Sequence, residues 1–237
     1  IFHRSSKDRT AQGSVNIPLD ESKWPQEWKT LSYKSYPRLG NVSLTDASKT
    51  GGLYESLMSR KSERDFSGRQ VPVDDVSSIL KYSCGIMSDG EGGYHRAQPS
   101  GGGRYPIETY LIVFVGSGAI QPGVYHYDVQ HHSLNVLWHR EFTREDIADM
   151  YTYPWAQDAS IAVVFTGVFH RNQMKYGERG YRHILIEVGS IVQNMYLTAT
   201  AQGVKCCAID GVHESRIEKL LDIDGITESA ICSLMLG

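Results

Sequence analysis

The 237-residue chain lacks any apolar run near the roughly 18 residues that a membrane-crossing helix needs. It also lacks the apolar stretch of a secretory signal near its start. Cysteine is scarce: Cys84, Cys206, Cys207 and Cys232 are scattered, and no C-x-x-C pair exists. That pattern points to small buried hydrophobes in a reduced, cytoplasmic protein. Charge of one sign is missing too. With 24 Lys and Arg against 27 Asp and Glu, the net charge is −3, so there is no basic field for nucleic acid. The histidines, among them His126, His131 and His132, show no H-E-x-x-H spacing, so no metal site is expected. No G-x-S-x-G elbow supports a serine hydrolase. The chain begins at Ile1 rather than methionine, as a piece of a longer protein does.

What is present is a sizeable core. Hydrophobic residues make up 41% and interspersed charges 22%, enough for one large domain or two small ones. Positions 1–50 stand apart, with Pro18, Pro25, Pro37, Trp24 and Trp28 and no sustained period. They read as an extended arm that packs by its aromatics. Positions 51–237 read as one domain, since no linker follows position 50. Leu53 with Leu57 and Tyr54 with Met58 repeat at i, i+4, so 51–60 is expected to be a helix. Pro72 and Asp74 open a second helix with Val76, Ile79 and Leu80 inside. A glycine-rich stretch runs from Gly85 to Gly103. Buried strands are expected at 109–116 and 159–169, a hairpin around "QHH", and a capping box at "TRED". A long helix from about Tyr181 to Gln202 carries Ile184, Val188, Ile191, Met195 and Ala199 on one stripe and stops at Gly203. Strands at 205–209 and 230–236 flank a helix at 214–221. Such alternation gives an α+β or α/β domain.

Four segments carry candidate chemistry. In "SRKSERDF", Arg60, Ser62 and Arg64 alternate, so an extended chain turns all three to one side, where they suit a phosphate or carboxylate. A solvated basic turn is the plain alternative. In "QPSGGGRYP", three glycines let backbone approach a flat ligand. This is neither a P-loop nor a dinucleotide fingerprint, because no G-K-[ST] follows and the glycines precede a strand. A flexible loop explains it equally. In "AIDGV", Asp210 and Gly211 end a strand and expose a backbone N–H, unless they form an ordinary turn. In "NQMKYGERGYRHILIEVGSIVQNMYLTATAQG", Gly189 clears space beside Gln193, an amide that needs a partner on an apolar helix. Lys175 and Tyr176 stand just before that helix, where a surface charge and a packing aromatic are the bland reading.

Taken in order, R-x-S-x-R-x-F, P-S-G-G-G, K-Y-G-x-R-G-Y-R, Q-N and I-x-G-V resemble the nitroreductase family of FMN flavoproteins. More narrowly they resemble its SagB-type branch of azoline dehydrogenases, as do "FHRSSKDR" and "YKSYPRL" near the start. The resemblance covers nearly the whole chain. It implies an α+β sandwich with a mainly antiparallel sheet flanked by helices, and a homodimer with the long helix at its interface. It implies FMN, with Arg60, Ser62 and Arg64 on the phosphate and ribityl chain. Pro99, Ser100 and Gly101 match the loop that reaches the partner subunit's isoalloxazine. Asp210 and Gly211 match the turn that approaches flavin N5, Gln193 and Asn194 match a Q-N pair of the branch, and Lys175 and Tyr176 match its Lys–Tyr pair. Two departures stand out. Ser190 occupies a position where the branch often has histidine. The sequence stops at Gly237, before the basic C-terminal phosphate ligands of plain nitroreductases, which points to weaker cofactor retention.

The expected reaction takes a hydride to the flavin and a proton to the Lys–Tyr pair, converting an azoline to an azole. Free tyrosine, with a pKa of about 10, needs a neighbouring ammonium to act near neutrality, or a desolvated lysine serves instead. Two other functions fit the same residues: a general NAD(P)H-dependent reductase of nitro groups or quinones, and a non-catalytic flavin-binding or scaffold subunit. A small molecule or peptide is the expected substrate, beside a possible biosynthetic partner protein.

Overall fold

The computed structural model describes residues 3, 6, 7, 20–29, 33, 34, 38, 42–44, 50–88 and 93–237. Most of the expected N-terminal arm, including Pro18 and Pro37, lies outside them, as do 89–92 in the glycine-rich stretch. Six helices of seven residues or more are described: α1 (Gly52–Ser59), α2 (Val73–Cys84), α3 (Arg144–Met150), α4 (Phe169–Tyr176), α5 (Arg179–Gln202) and α6 (Glu214–Leu221). Strands β1 (Ile86–Ser88) and β2 (Tyr94–Arg96) form a small ribbon. The main sheet uses β3 (Ile107–Val113), β4 (Gly123–Asp128), β5 (Ser133–His139), β6 (Ile161–Val168), β7 (Cys206–Ile209) and β8 (Glu228–Leu236). Its order is β5-β4-β3-β6-β8-β7 and every pairing is antiparallel.

Two-residue alternation sorts the strand side chains into two cores. Ile161, Val163 and Phe165 of β6 join the cluster that contains α2 and α5, and Ala162 and Val164 join the one beneath α3 and α6. Each fully buried large side chain contributes about 1.5–3 kcal/mol by leaving water. The sheet is therefore a filling between helical layers, an α+β architecture of the kind expected. The α5 stripe from Ile184 to Ala199 is buried as its spacing requires, and Gly203, at φ 70°, closes the helix by donating to Ala199 and Thr200 carbonyls. The Thr143–Asp146 capping box starts α3.

One expectation fails. The strand drawn through Phe169 ends at Val168, and residues 169–176 form α4 instead. Past Val168 no β-branched residue follows, and Arg171, Gln173, Met174 and Lys175 are good helix formers. Gly177, at φ 54°, then breaks α4 from α5.

The described part of the arm is tied down mainly by polar contacts. His3 Nε2 donates to Ser229 Oγ at 2.9 Å, and its ring lies 5.1 Å from that of Phe169. Lys7 Nζ reaches Glu218 at 2.5 Å and the Gly225 carbonyl at 2.8 Å. Glu218 is nearly buried, and that ammonium is its ion-pair partner. Lys7→Ala is expected to cost about 3 kcal/mol in urea unfolding, with Lys7→Ala/Glu218→Gln recovering most of it, whereas a loss below about 0.5 kcal/mol would show that the arm is not docked in solution.

Candidate functional site

The candidate residues gather at two places along α5. At its C-terminal end, the chain leaves α1 at Arg60, whose N–H caps the helix through the Ser56 carbonyl, and runs beside β7 with Glu63 N–H donating to Cys206 O at 3.0 Å. Tyr196 of α5 organises this edge. Its hydroxyl accepts from Ala208 N–H at 2.7 Å and shares a hydrogen bond with Ser62 Oγ at 3.0 Å. Burial is the main reason that its phenol is held above the ordinary range. The Arg60 guanidinium lies 5.2 Å from the Tyr196 ring and that of Arg64 lies 6.0 Å from the Trp155 ring. Neither guanidinium has a carboxylate partner among the described residues. Trp155 stacks on Tyr153 at 5.8 Å, and Tyr153 packs against Gly211. A β-carbon at Gly211 would fall 2.4 Å from the Tyr153 ring and 2.3 Å from Thr152 Oγ1, so glycine is required there. The Gly211 carbonyl accepts twice from Thr152, while its N–H donates to nothing among the described residues. Arg60, Ser62, Arg64, Asp210 and Gly211 thus share one edge of the sheet, and Asp210 is exposed.

The second place is the N-terminal end of α5. Glu187, buried on the helix, accepts from Ser100 Oγ at 2.6 Å and Gln98 Nε2 at 3.2 Å. Ser100 Oγ also accepts from Tyr105 N–H at 2.8 Å. The glycine loop is thereby fastened to the helix by a buried carboxylate, and the serine hydroxyl is spent inside. Burial pushes the Glu187 carboxyl up, against the opposing effect of Ser100, Gln98 and Arg96. The loop meets α4 at Gly102. A β-carbon there would sit 2.2 Å from Tyr176 OH and 2.9 Å from Lys175 Nζ, and φ is 67°. Lys175 Nζ lies 5.3 Å from the Tyr176 ring centre, and the His183 ring meets Tyr176 edge-on at 4.7 Å. Lys175 is exposed, so a lysine base desolvated by its own chain is not what the fold provides. Arg171 anchors α4 through Glu108, which also bonds His126 at 2.9 Å. Burial alone would raise the Glu108 carboxyl, but His126 and Arg171 outweigh it and hold it low.

Pro99, Ser100, Gly101, Lys175 and Tyr176 therefore come together, but away from Arg60 and Ser62. His183 and Tyr196 are 13 residues apart on one helix, a separation of about 20 Å at 1.5 Å per residue. Gln193 is exposed on α5. The Asn194 amide is committed to the Ser83 carbonyl of α2 at 3.2 Å, a tie between helices. Sequence reasoning missed Glu187, His183, Tyr196 and Trp155. The Glu187 signal was an acid interrupting the apolar run "ILIEV"; nothing distinguished Tyr196 from core.

Two features show a surface and a site left open. Gln98 Oε1, His183 Nδ1 and both amide atoms of Asn172 are buried and have no partner among the described residues. Every apolar side chain of α1 faces outward, Met58 at 76% exposure, and so does Ile186 of α5 at 68%. Among the described residues no cluster of His, Cys, Asp and Glu is placed to hold a metal, and no helix is long and apolar enough to cross a membrane.

The nitroreductase family model matches residues 57–237. The chain belongs to the nitroreductase family. Relatives include a nitroreductase-like protein of Methanocaldococcus jannaschii, 29% identical over 72% of this chain and 84% of that protein. The trifolitoxin-processing protein TfxB of Rhizobium leguminosarum bv. trifolii is 28% identical over 70% of this chain, which matches only 47% of TfxB. The microcin B17-processing protein McbC of Escherichia coli is 26% identical over 78% of this chain and 73% of McbC. These processing proteins bear out the resemblance to the SagB-type branch. In solved structures, a chain of the E. coli microcin synthetase McbBCD complex with truncated pro-MccB17 superposes with a TM-score of 0.70, covering 95% of this chain and 84% of that one at 22% identity. A nitroreductase-like protein of Desulfovibrio desulfuricans in complex with FMN superposes at 0.53, over 80% of this chain and 87% of that one, at 15% identity. The nitroreductase fold, a six-stranded antiparallel sheet flanked by helices, is the one found here.

Glu187 offers a local test. Its folded carboxyl titrates above the unfolded one, so its contribution to stability is full below about pH 4.3 and is lost as pH rises through the folded value. Glu187→Gln is expected to gain on wild type in urea midpoint between pH 4 and 7; a pH-independent difference would mean that the carboxylate is not buried.

Proposed function

We propose that this nitroreductase-family oxidoreductase uses FMN and dehydrogenates azoline-type intermediates, as a homodimer whose two chains each supply half of every site. The observation that carries the reading is the contact at Gly102: only a residue without a side chain leaves the Tyr176 hydroxyl and Lys175 ammonium facing the loop. The residues fit FMN. Arg60 and Arg64 suit a phosphate and have no carboxylate partner among the described residues, Ser62 carries a hydroxyl beside them, and the Gly211 N–H has no acceptor among the described residues. FMN, when bound, supplies the two-electron acceptor.

The chain's own residues supply position and proton handling. Tyr176 takes the proton that leaves the azoline carbon, and a phenolate at that position faces the Lys175 ammonium, which offsets its charge. Glu187 and Ser100 keep the glycine loop closed over the pair. A second copy covers the apolar faces of α1 and α5 and brings its own glycine loop to the Arg60 edge. That arrangement removes the mismatch of about 20 Å between the two half-sites on one helix. The relatives' names concern peptide processing, so a peptide and companion proteins are the substrate and partners we favour.

The test is reconstitution with FMN followed by turnover of an azoline-containing peptide. Arg60→Ala/Arg64→Ala is expected to weaken FMN binding by about 100-fold or more, from two lost charge-assisted contacts. Lys175→Ala and Tyr176→Phe are expected to stay yellow and lose about 100-fold in turnover. Wild-type turnover by either removes the proton-handling role. A wild-type protein that cannot take up FMN removes the enzyme reading, and rapid bleaching by NADPH with nitro-compound turnover favours a general reductase.

A further inference from the structure

The turn between β4 and β5 holds His132 at φ 49°, a left-handed backbone that a β-carbon disfavours. Its ring is held at both nitrogens. Tyr127 OH lies 2.7 Å from Nδ1, and Ser77 Oγ of α2 lies 2.9 Å from Nε2. The Tyr127 phenol is kept protonated, chiefly by burial and then by Cys84, which push it well above the ordinary range. Its one hydrogen bond among the described residues is to His132, and its buried hydroxyl hydrogen has no other acceptor there, so we assign Tyr127 as the donor. Nδ1 is therefore the acceptor, and Nε2 carries the hydrogen and donates to Ser77. Burial, then the nearby Lys81, lowers the His132 imidazole from its ordinary range. The serine is not activated, because Nε2 cannot accept its proton. Its own O–H hydrogen has no acceptor among the described residues.

That hydroxyl lines a cavity of about 310 Å³ between α2, the 117–122 loop and the β4–β5 hairpin. The other walls are chiefly apolar, from Val76, Leu80, Ile120, Leu134 and Val136, with His132 and Ser133 also lining it and no carboxylate, lysine or arginine. The Tyr125 hydroxyl at its edge is already spent on the Gln121 carbonyl at 2.6 Å. Neither half-site contributes a lining residue. The geometry points to a second binding site, for a small neutral molecule with a compact apolar body and one hydrogen-bond acceptor, such as a ketone or ester carbonyl, received by Ser77 Oγ–H. The volume matches the lower end of small-molecule pockets, and the strained, doubly bonded histidine is what orients the serine. This site stands independently of the flavin reading.

The test titrates the full chain with acetophenone and with ethylbenzene, which has nearly the same shape and no carbonyl, followed by methyl and histidine-ring NMR. Saturable shifts at Val76, Leu80 and Leu134 are expected for both, with acetophenone bound about fivefold more tightly through one neutral hydrogen bond. Ser77→Ala is expected to erase that preference while retaining the cavity. Long-range proton–nitrogen spectra of the unliganded wild type are expected to show the Nε2–H form of His132. Unsaturable shifts, equal affinities in wild type, or an Nδ1–H tautomer would each overturn the assignment.

Discussion

The geometry of this protein is governed by the stiffness of one helix. α5 carries Tyr196, which organises the Arg60–Ser62 edge, and Glu187 and His183, which hold the glycine loop and Tyr176. A helix rises about 1.5 Å per residue and does not fold back, so the two sets of groups stay about 20 Å apart in one chain. The same helix is pinned from within by Ile184, Val188, Ile191, Met195 and Ala199, so its position leaves no slack. Anything that needs both sets at once must draw them from two chains.

Each half is prepared by different physics. At the Arg60 edge the device is hydrogen-bonding capacity unspent among the described residues: guanidiniums against aromatic faces with no carboxylate partner, and a glycine N–H with no acceptor where a side chain would collide. At the Tyr176 end the device is a buried acid. Glu187 tolerates burial because Ser100 and Gln98 donate to it, and that bond sets the loop against α4. Arg171 and Glu108 fix α4 from the other side. The buried atoms of Gln98, Asn172 and His183 that have no partner among the described residues lie around this same end.

Much of this was legible in the sequence, for specific reasons. Strands β3 and β6 were found because they are continuous apolar runs too short for a helix, and the α5 stripe because it keeps one helical period from Ile184 to Ala199. Helix α4 was missed because it follows β6 directly, with no loop and no side-chain cap between Val168 and Phe169 to mark the boundary. The arginines, glycines and Lys–Tyr pair were legible as motifs. Their division into two distant sets was not, since motif order says nothing of distance along α5. Glu187, His183 and Tyr196 were hidden because they occupy helix positions that usually pack. The outward apolar face of α1 was read only as a helical stripe, because periodicity does not say whether a stripe faces its own core or another molecule.

The central claim is that each flavin site is shared between two copies of the chain, and flavin uptake by mixed variants measures it most directly. Arg60→Glu/Arg64→Glu destroys one half and Gly102→Leu the other, so neither variant alone is expected to bind FMN. Co-refolded in equal amounts, half of the dimers pair one of each and regain one intact site of two, so bound FMN is expected at about a quarter of the wild-type level. No bound flavin in the mixture, from variants that each fold, would contradict a shared site.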